Sequence, residues 1–182
     1  MERNLMVAGF GGQGVMTLGK FLADATCNAT DKNVTFFPSY GAEQRGGTAN
    51  CFVVISDGMI GAPLGDVMDD LIVMNGPSLQ KFLPTLKEGG TLFINSSIVD
   101  EAEIDRTDVK VVKAPVTGLA LDMGNAKVLN VIMLGVYVGY TEVVPPEVVW
   151  ETIEHKLGSK PKLLPLNKAA FEKGLELGRS QR

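Results

Sequence analysis

The chain has 182 residues, of which 45% are hydrophobic, and this is enough for one sizeable core, so we expect a single domain over residues 1–182. Its 21 acidic and 17 basic residues give a formal net charge of −4, which argues against a nucleic-acid or anionic-membrane surface. No apolar run approaches the roughly 20 residues that span a bilayer, and residues 1–15 do not resemble a secretory signal. We therefore expect a cytoplasmic protein without nucleic-acid or membrane partners.

The first part of the chain predicts strands that alternate with a helix. Leu5 to Ala8 is a short apolar run typical of a strand, and apolar residues from Val15 to Ala29 recur at helical spacing. Val34 to Phe37 predicts a second strand. We expect this strand to end at Pro38, because proline cannot donate a hydrogen bond to a sheet.

The middle of the chain predicts further strands and one short helix. Ala49 to Ile55 is rich in β-branched and aromatic residues, and the turn signal Asp57-Gly58 favours a hairpin partner that begins at Met59-Ile60. The buried-type strand Leu71 to Met74 is followed by a helix. We expect Ser78 to cap this helix and Gly89-Gly90 to end it.

The second half of the chain continues the alternation and defines the fold class. Short strands separated by helices predict an α/β fold, with a three-layer, Rossmann-like, mostly parallel sheet and helices on both faces. The predicted elements are strands at Thr91 to Ile94 and Val109 to Val112, and helices at Val128 to Tyr140, Pro146 to Leu157 with Gly158 as a left-handed terminator, and Leu166 to Leu177.

A glycine-rich loop follows the first predicted strand and precedes the first predicted helix. Gly9, Gly11 and Gly14 satisfy the pattern G-x-G-x-x-G. In such loops the glycines permit a tight turn and a close approach of the backbone to a phosphate, and the helix N-terminus presents N–H groups to an anion. The sequence predicts a cofactor-binding loop formed by Gly9, Gly11, Gly12, Gln13 and Gly14.

Three other interpretations of the glycine pattern are an NAD site, a Walker A loop and a turn without a ligand. A site for NAD needs an acidic residue at the end of the second strand, where Phe37-Pro38-Ser39 stand instead, and the nearest acids are Asp31 and Glu43. A Walker A loop needs Lys-Ser/Thr after the last glycine, where Val15-Met16 stand. A turn that binds no ligand also satisfies the pattern.

A second candidate segment, "PSYGAEQRGGTANC", lies between the second and third predicted strands. Loops at sheet ends are where α/β proteins bind ligands. Arg45 offers a planar fork of donors to a phosphate or carboxylate, and Gly46 and Gly47 allow close approach of the backbone. A solvated pair of Glu43 and Arg45 is the alternative interpretation.

The sequence offers no catalytic or metal-binding set. Cys27 and Cys51 are the only cysteines, they do not form a C-x-x-C pair, and we expect two ordinary buried thiols. The single histidine, His155, lies near the end of a predicted helix, where a surface role is expected. Because no nucleophile and base can be paired, the isolated chain should be catalytically inert.

Four segments together resemble the gamma subunit of the 2-oxoacid:ferredoxin oxidoreductases. They are "GFGGQGVMTLGKFLA", "PSYGAEQRGGTANC", "VVISDGMIGAP" and "NKAAFEKG", and they occur in the family's order over nearly the whole chain. Within this family the second segment is most similar to the 2-oxoglutarate type and the branched-chain 2-oxoacid type. Pyruvate-type gamma subunits tend to carry a different version of that loop.

The resemblance implies a subunit of a larger redox enzyme. Such enzymes decarboxylate a 2-oxoacid on thiamine diphosphate, reduce ferredoxin through iron–sulfur clusters and transfer the acyl group to coenzyme A. It implies alpha, beta and delta partner subunits, with thiamine diphosphate and magnesium between alpha and beta and the clusters in beta and delta. It implies no firmly bound cofactor in the gamma chain, with coenzyme A as the candidate ligand.

Two roles for the glycine loop and Arg45 follow, and the residues leave both open. In the first role, the glycine loop and Arg45 bind the phosphates of coenzyme A and help to cover the active site. In the second, these residues only shape the loops that contact alpha and beta. Two other classes of protein remain as alternatives. One is a free-standing nucleotide-binding protein, and the other is a scaffold that associates through the apolar helix Val128 to Tyr140, although burial of that helix in its own core is more economical.

Overall fold

The structure is a computed structural model, and it describes residues 1–39 and 48–182. Six strands form one sheet in this part of the chain. The strands are β1 (Glu2–Phe10), β2 (Asn33–Ser39), β3 (Thr48–Ser56), β4 (Met68–Val73), β5 (Leu86–Asn95) and β6 (Lys110–Ala114).

Six α-helices accompany the sheet in the described ranges, and four short 3₁₀ turns lie between them. No helix in these ranges is long and apolar enough to cross a bilayer. The helices are α1 (Val15–Ala29), α2 (Gly76–Phe82), α3 (Val116–Asp122), α4 (Leu129–Thr141), α5 (Pro146–Lys156) and α6 (Leu164–Ser180).

The sheet is mostly parallel, with the strand order β2-β3-β1-β4-β5-β6. β1, β4, β5 and β6 pair in parallel, and β3 pairs antiparallel with both β1 and β2. β3 is therefore the one described strand that runs in the reverse direction. The α/β, mostly parallel fold expected from the sequence is confirmed.

Helices cover the two faces of the sheet unequally. One face carries a large core shared with α1, α4, α5 and α6, and the other carries a smaller core beneath α2. α4 is buried almost all round between the sheet and its neighbours, as expected for a helix that is apolar on every side. Its burial confirms the interpretation that this helix belongs to the chain's own core.

α4 and α6 pack backbone against backbone because both carry glycine at every fourth position of the contact. A Cβ atom on Gly139 would lie 2.5 Å from the Leu175 carbonyl oxygen, and one on Gly174 would collide with the Ile132 carbonyl oxygen. Ordinary helix pairs stay 8–10 Å apart because side chains separate them. Glycine removes that spacer here, and α6 is held directly on the helix at the centre of the core.

Two expectations for the second and third strands were wrong. β2 includes Pro38, which lies opposite Cys51, because β2 is an edge strand and a proline that cannot donate is tolerated there. The expected hairpin partner at Met59-Ile60 does not form a strand. The chain after Asp57-Gly58 instead leads across to β4, and the antiparallel neighbours of β3 are β1 and β2.

Three expectations for helix ends were also wrong. The cap of α2 is Asn75, whose side chain accepts a hydrogen bond of 2.8 Å from the Ser78 backbone N–H. α2 ends at Phe82, and Gly89-Gly90 lies inside β5, where Gly89 adopts a positive φ. Gly158 does not have a positive φ, and α5 ends at Lys156, with Leu157 as its cap.

The two cysteines lie in different environments, so the expectation of two buried thiols was wrong for Cys27, which is exposed. Cys51 is buried between β3 and α1, where its thiol donates to the Val15 carbonyl oxygen at 3.4 Å. Burial raises the pKa of the Cys51 thiol to about 12. The structure thus separates a solvent-accessible thiol from a protected, protonated one.

Alkylation should distinguish these two thiols in the native chain. At pH 8 a thiol with this pKa is ionised in only about one molecule in 10,000, and the thiolate is the form that reacts. Iodoacetamide should therefore modify Cys27 rapidly and Cys51 at least about 100-fold more slowly, as read by peptide mass spectrometry. In denaturing urea both residues should react. Equal rates in the native chain would contradict the structure.

Candidate functional site

The chain leaves the sheet in opposite directions after β1 and after β4. β1 leads through α1 to β2 at one edge, whereas β4 leads through α2 to β5 on the other side. α1 and α2 also lie on opposite faces of the sheet. The carboxyl ends of β1 and β4 therefore border a crevice of the kind where open α/β sheets bind ligands. The glycine loop, residues 9–14, forms one side of this crevice.

Two of the predicted glycines are required by the local geometry. A Cβ atom on Gly9 would lie 2.6 Å from the Gln13 side-chain oxygen and 2.8 Å from Met74 Cβ. Gly14 has a φ of +70°, and a Cβ atom there would lie 2.5 Å from the amide nitrogen of Asn130. Glycine at position 9 allows the loop to lie close to β4, and Gly14 precedes α1 in a backbone conformation that favours glycine.

The Gln13 side chain joins the two sides of the crevice. Its carbonyl oxygen accepts a hydrogen bond of 2.7 Å from the Phe10 backbone N–H, and its amide group donates at 3.1 Å to the Met74 carbonyl oxygen. Gln13 thereby ties the end of β1 to the end of β4. The side chain of this predicted site residue is engaged inside the chain and braces the loop.

Asparagines follow β4 and end β5, and they line the same edge of the sheet. Asn95 donates to the Met74 carbonyl oxygen at 3.3 Å and to the Thr117 hydroxyl at 2.9 Å. Asn75 and Ser78 are buried, yet the Asn75 amide nitrogen and the Ser78 hydroxyl have no hydrogen-bond partner among the described residues. Buried polar atoms normally have a hydrogen-bond partner, so we expect a further partner, such as a ligand, at these two atoms.

The backbone of the loop retains donors for an anion. Gly11 and Gly12 donate no hydrogen bond to another residue that the structure describes. α1 begins at Val15, and its N-cap, Gly14, provides no side-chain hydrogen bond, so the first turn of the helix also presents N–H groups. A helix N-terminus of this kind favours negative charge.

A cavity of about 340 Å³ lies on the α1 side of the loop. Thr17 from the first turn of α1 lines it, together with Asn130, whose amide donates to the Gly14 carbonyl oxygen at 3.3 Å. Lys127 and Lys160 supply positive charge to the same cavity. The fold thus brings two lysines that were not predicted from the sequence to a cavity that adjoins Gly14 through Asn130.

The structure brings one predicted segment together and does not describe the other. Gly9, Gly11, Gly12, Gln13 and Gly14 are contiguous at the carboxyl end of β1. The second candidate segment falls on residues 40–47, so Glu43, Arg45, Gly46 and Gly47 lie outside the described residues. Asn75 and Asn95 were missed, although both stand at the end of a continuous apolar run that reads as a buried strand, which is the signal for a polar residue at this edge.

The strand order makes an NAD site of the usual form geometrically unfavourable. In a dinucleotide-binding fold the acidic residue that binds the ribose ends the strand next to β1. Here β3 separates β1 from β2, so the end of β2 lies about 10 Å away at the usual strand spacing. Even an acidic residue in place of Ser39 would be poorly positioned to reach a ribose on the glycine loop.

Other candidate groups lie away from the crevice. His155 is exposed in the last turn of α5, where the sequence placed it. In the part of the chain that the structure describes, no three His, Cys, Asp or Glu side chains come together to hold a metal ion.

The fold and the loop define a Rossmann-like α/β domain with an anion-compatible glycine loop at its topological switch point. Comparison with known families gives the particular group. Residues 4–177 match the family model described as "Pyruvate ferredoxin/flavodoxin oxidoreductase", and the chain belongs to this family. The resemblance recognised in the four sequence segments is confirmed.

Relatives contain this domain in two arrangements. The chain is 36% identical over 180 residues to the ketoisovalerate oxidoreductase subunit VorA of Methanothermobacter thermautotrophicus, covering 98% of this chain but only 37% of VorA. It is 32% identical over 181 residues to the 2-oxoglutarate synthase subunit KorC of Methanocaldococcus jannaschii, covering 98% of this chain and 95% of KorC. The chain thus spans about a third of one relative and nearly all of the other.

A solved structure also contains this domain within a chain about three times as long. The 2-oxoglutarate:ferredoxin oxidoreductase from Magnetococcus marinus, with 2-oxoglutarate, coenzyme A and succinyl-CoA bound, matches with a TM-score of 0.91 and 25% identity. The match covers 100% of this chain and 32% of that chain. The domain described above is therefore one third of a longer polypeptide in that enzyme.

Proposed function

We propose that this chain is the gamma subunit of a multi-subunit 2-oxoacid:ferredoxin oxidoreductase in the cytoplasm. The complex would oxidatively decarboxylate 2-oxoglutarate or a related 2-oxoacid to an acyl-CoA and reduce ferredoxin. The family match over residues 4–177 carries this proposal, and the match to the 2-oxoglutarate synthase subunit KorC over 95% of its length supports it. The alpha, beta and delta subunits are the proposed partners, and thiamine diphosphate, magnesium and iron–sulfur clusters would belong to them.

Within the complex we assign this chain a binding and covering role. No nucleophile and base are paired at the crevice among the described residues, and the groups that line it are backbone N–H donors and amides, with two lysines in the cavity on the α1 side. These groups suit an anionic ligand better than acid–base chemistry. Coenzyme A, which would supply the acyl-accepting thiol, carries a pyrophosphate and a further phosphate and fits this donor set.

The contacts can be assigned to particular groups. The N–H groups of Gly11 and Gly12 would donate hydrogen bonds to a phosphate, and Lys127 or Lys160 from the adjoining cavity would offset its charge. Gly9 and Gln13 would act indirectly, because their contacts hold the loop against β4. Arg45, Gly46 and Gly47 remain candidates for a second contact with the same ligand, as predicted from their residue types. Covering the reacting centre would also keep water from a reactive intermediate.

Reconstitution of the complex tests the function as a whole. The chain should be co-expressed anaerobically with the host's own alpha, beta and delta chains, with and without this subunit. Ferredoxin reduction should depend on a 2-oxoacid and on coenzyme A, and 2-oxoglutarate, 3-methyl-2-oxobutanoate and pyruvate should be compared. Full activity without this chain, or failure of the chain to join the complex, would contradict the proposal.

Replacing Arg45 by alanine in the assembled complex separates the two roles of the loops. If Arg45 binds a phosphate, Arg45→Ala should raise the KM for coenzyme A by about 10-fold, since a charge-assisted hydrogen bond contributes about 1.5–3 kcal/mol. Arg179→Ala, at an exposed position near the end of α6, is the control and should leave this KM unchanged. An unchanged KM with full activity in Arg45→Ala would leave only the architectural role.

A further inference from the structure

One face of the sheet is left open at the β2 edge. α1 packs on β2 and β3 from the side of Phe36 and Cys51, where Gly19 brings it close. Side chains alternate between faces along a strand, so Phe37 and Phe52 point to the opposite side. We call this opposite side of β2, β3 and the end of β1 the open face. Phe37 is 43% exposed there, and Phe10, at the end of β1, is 39% exposed.

The open face continues an apolar row that crosses the sheet. Phe37 lies opposite Phe52, and Phe52 lies opposite Met6. The row continues from Met6 to Leu71 and Leu92, which are fully buried in the core beneath α2. The inner half of one apolar row is thus covered by the chain's own helix, whereas its outer half ends in an exposed phenylalanine.

The outward positions of β2 and β3 combine uncharged polar residues with a few apolar ones, and they lack charge. An antiparallel strand with one wet face normally places polar and charged residues outward. Although 21% of the chain's residues are charged, none stands at the outward positions of β2 and β3 in the described structure. Depletion of charge around a few aromatic residues is the signature of an interface core. The outward positions are Asn33, Thr35, Phe37, Ser39, Thr48, Asn50, Phe52, Val54 and Ser56, of which Val54 and Ser56 are buried within the chain.

The lengths of the relatives indicate what covers this face. The domain is about a third of one polypeptide in VorA and in the Magnetococcus marinus enzyme, whereas KorC is a separate chain of nearly this length. A domain that is covalently joined in one relative and separate in another must hold the same partner through its own surface. Where the domain is a separate chain, as in KorC, a noncovalent interface has to replace that covalent linkage.

We propose that the open face is the docking surface for the partner chain that corresponds to the rest of these longer relatives. This inference rests on the proposed function. The partner's matching surface is uncharged, with apolar room for the rings of Phe10 and Phe37 and polar groups for the surrounding Asn, Ser and Thr side chains. A membrane is a poorer occupant, because the open face lacks the lysines and arginines that interfacial segments use. The exposed Leu64 and Val67 lie in the segment between β3 and β4, whose Gly65 packs beside Asn4 on the same side of the sheet.

Binding of the identified partner tests the docking surface. The partner to be expressed is the host chain that aligns with the part of VorA outside the match. We expect Phe37→Asp to weaken its association with this chain at least about 10-fold, as measured by sedimentation, because a carboxylate would be buried without a counter-ion. Phe37→Leu should retain most of the affinity. Leu121→Asp, at a residue 60% exposed on α3, is the matched control and should bind normally.

The outcomes separate this inference from the proposed function. Equal urea midpoints of the Phe37→Asp and wild-type chains would show that the loss is not due to unfolding. Normal binding by Phe37→Asp would overturn the docking surface and leave the proposed function intact. A wild-type dimer that Phe37→Asp dissociates, with partner binding unchanged, would assign the face to a second copy of the chain instead. Failure of the wild-type chain to bind the partner would overturn both proposals.

Discussion

Gly174→Ala should destabilise the chain by about 3 kcal/mol or more, because the added methyl group meets backbone and not a movable side chain. A Cβ atom at this position would collide with the Ile132 carbonyl oxygen and would lie 2.9 Å from both Gly135 Cα and the Val136 nitrogen. α4 is buried between the sheet and α6, so relief requires α6 to move away from the core. The higher helix propensity of alanine, about 1 kcal/mol, offsets only part of this cost.

Gly118→Ala in α3 is the matched control for that substitution. Its added methyl group would meet only the Ser97 hydroxyl, at an ordinary distance of 3.5 Å. The same helix-propensity gain should therefore appear without a clash, and the free energy of unfolding should stay constant or rise slightly. Urea unfolding of both variants measures the difference. A Gly174→Ala chain that unfolds at the wild-type midpoint would show that α4 and α6 are not in backbone contact.

The parts of the fold that depend on local pattern could be predicted from the sequence. β1, β3, β4 and β5 are apolar runs of strand length, and α1, α4, α5 and α6 carry helical spacing or sufficient length. α3 was missed because its seven residues, "VTGLALD", are too short to establish a helical period. Helix and strand ends were predicted less well. Asn75 caps α2 through Ser78, three residues away, and was overlooked, whereas the strand position of Gly89-Gly90 depends on a distant neighbour, Asp108, whose carbonyl oxygen accepts from the Gly89 N–H.

Pairings between distant segments could not be predicted. Nothing local indicates that β3 lies between β1 and β2, yet this order is what makes a conventional NAD site unfavourable. The glycine loop was recognised from its spacing, but the use of Gln13 as a bridge depends on Met74, 61 residues away. Gly135 and Gly139 are four residues apart in the sequence, which allows a helix contact without identifying α6 as the partner.

The burial of the Asp70 carboxylate could likewise not be predicted from the sequence. Asp70 stands at the start of an apolar run, where a carboxylate would ordinarily reach solvent, but it is fully buried. It accepts hydrogen bonds from the Arg3 guanidinium, one of them 3.0 Å long, and from the Tyr137 hydroxyl at 2.9 Å. Burial raises the pKa of Tyr137 well above its ordinary value, so its hydroxyl remains a donor. Burial opposes the charge of Arg3, but its hydrogen bond to Asp70 contributes to a pKa above the ordinary value.

Asp70→Ala should consequently cost about 3 kcal/mol of stability, near the lower end of the range for breaking a buried ion pair. The Arg3 side chain is one-quarter exposed and can recover part of its hydration, which keeps the cost low in that range. The buried Tyr137 hydroxyl cannot reach water in the same way, and it would lose its acceptor. Tyr137→Phe should cost less, about 1–2 kcal/mol, because Asp70 would still pair with Arg3.

Asp57→Ala provides the matched aspartate control in urea unfolding. Asp57 also pairs with two cations, the Lys32 ammonium group at 2.5 Å and the chain's amino terminus at 3.0 Å, but it is half-exposed. Solvent screens exposed pairs, so the unfolding midpoint should barely change at this position. Equal losses for Asp57→Ala and Asp70→Ala would contradict a special role of burial. A larger loss for Asp70→Ala would place the Arg3–Asp70–Tyr137 cluster among the contacts that fasten α4 to the sheet, beneath the helix on which α6 packs.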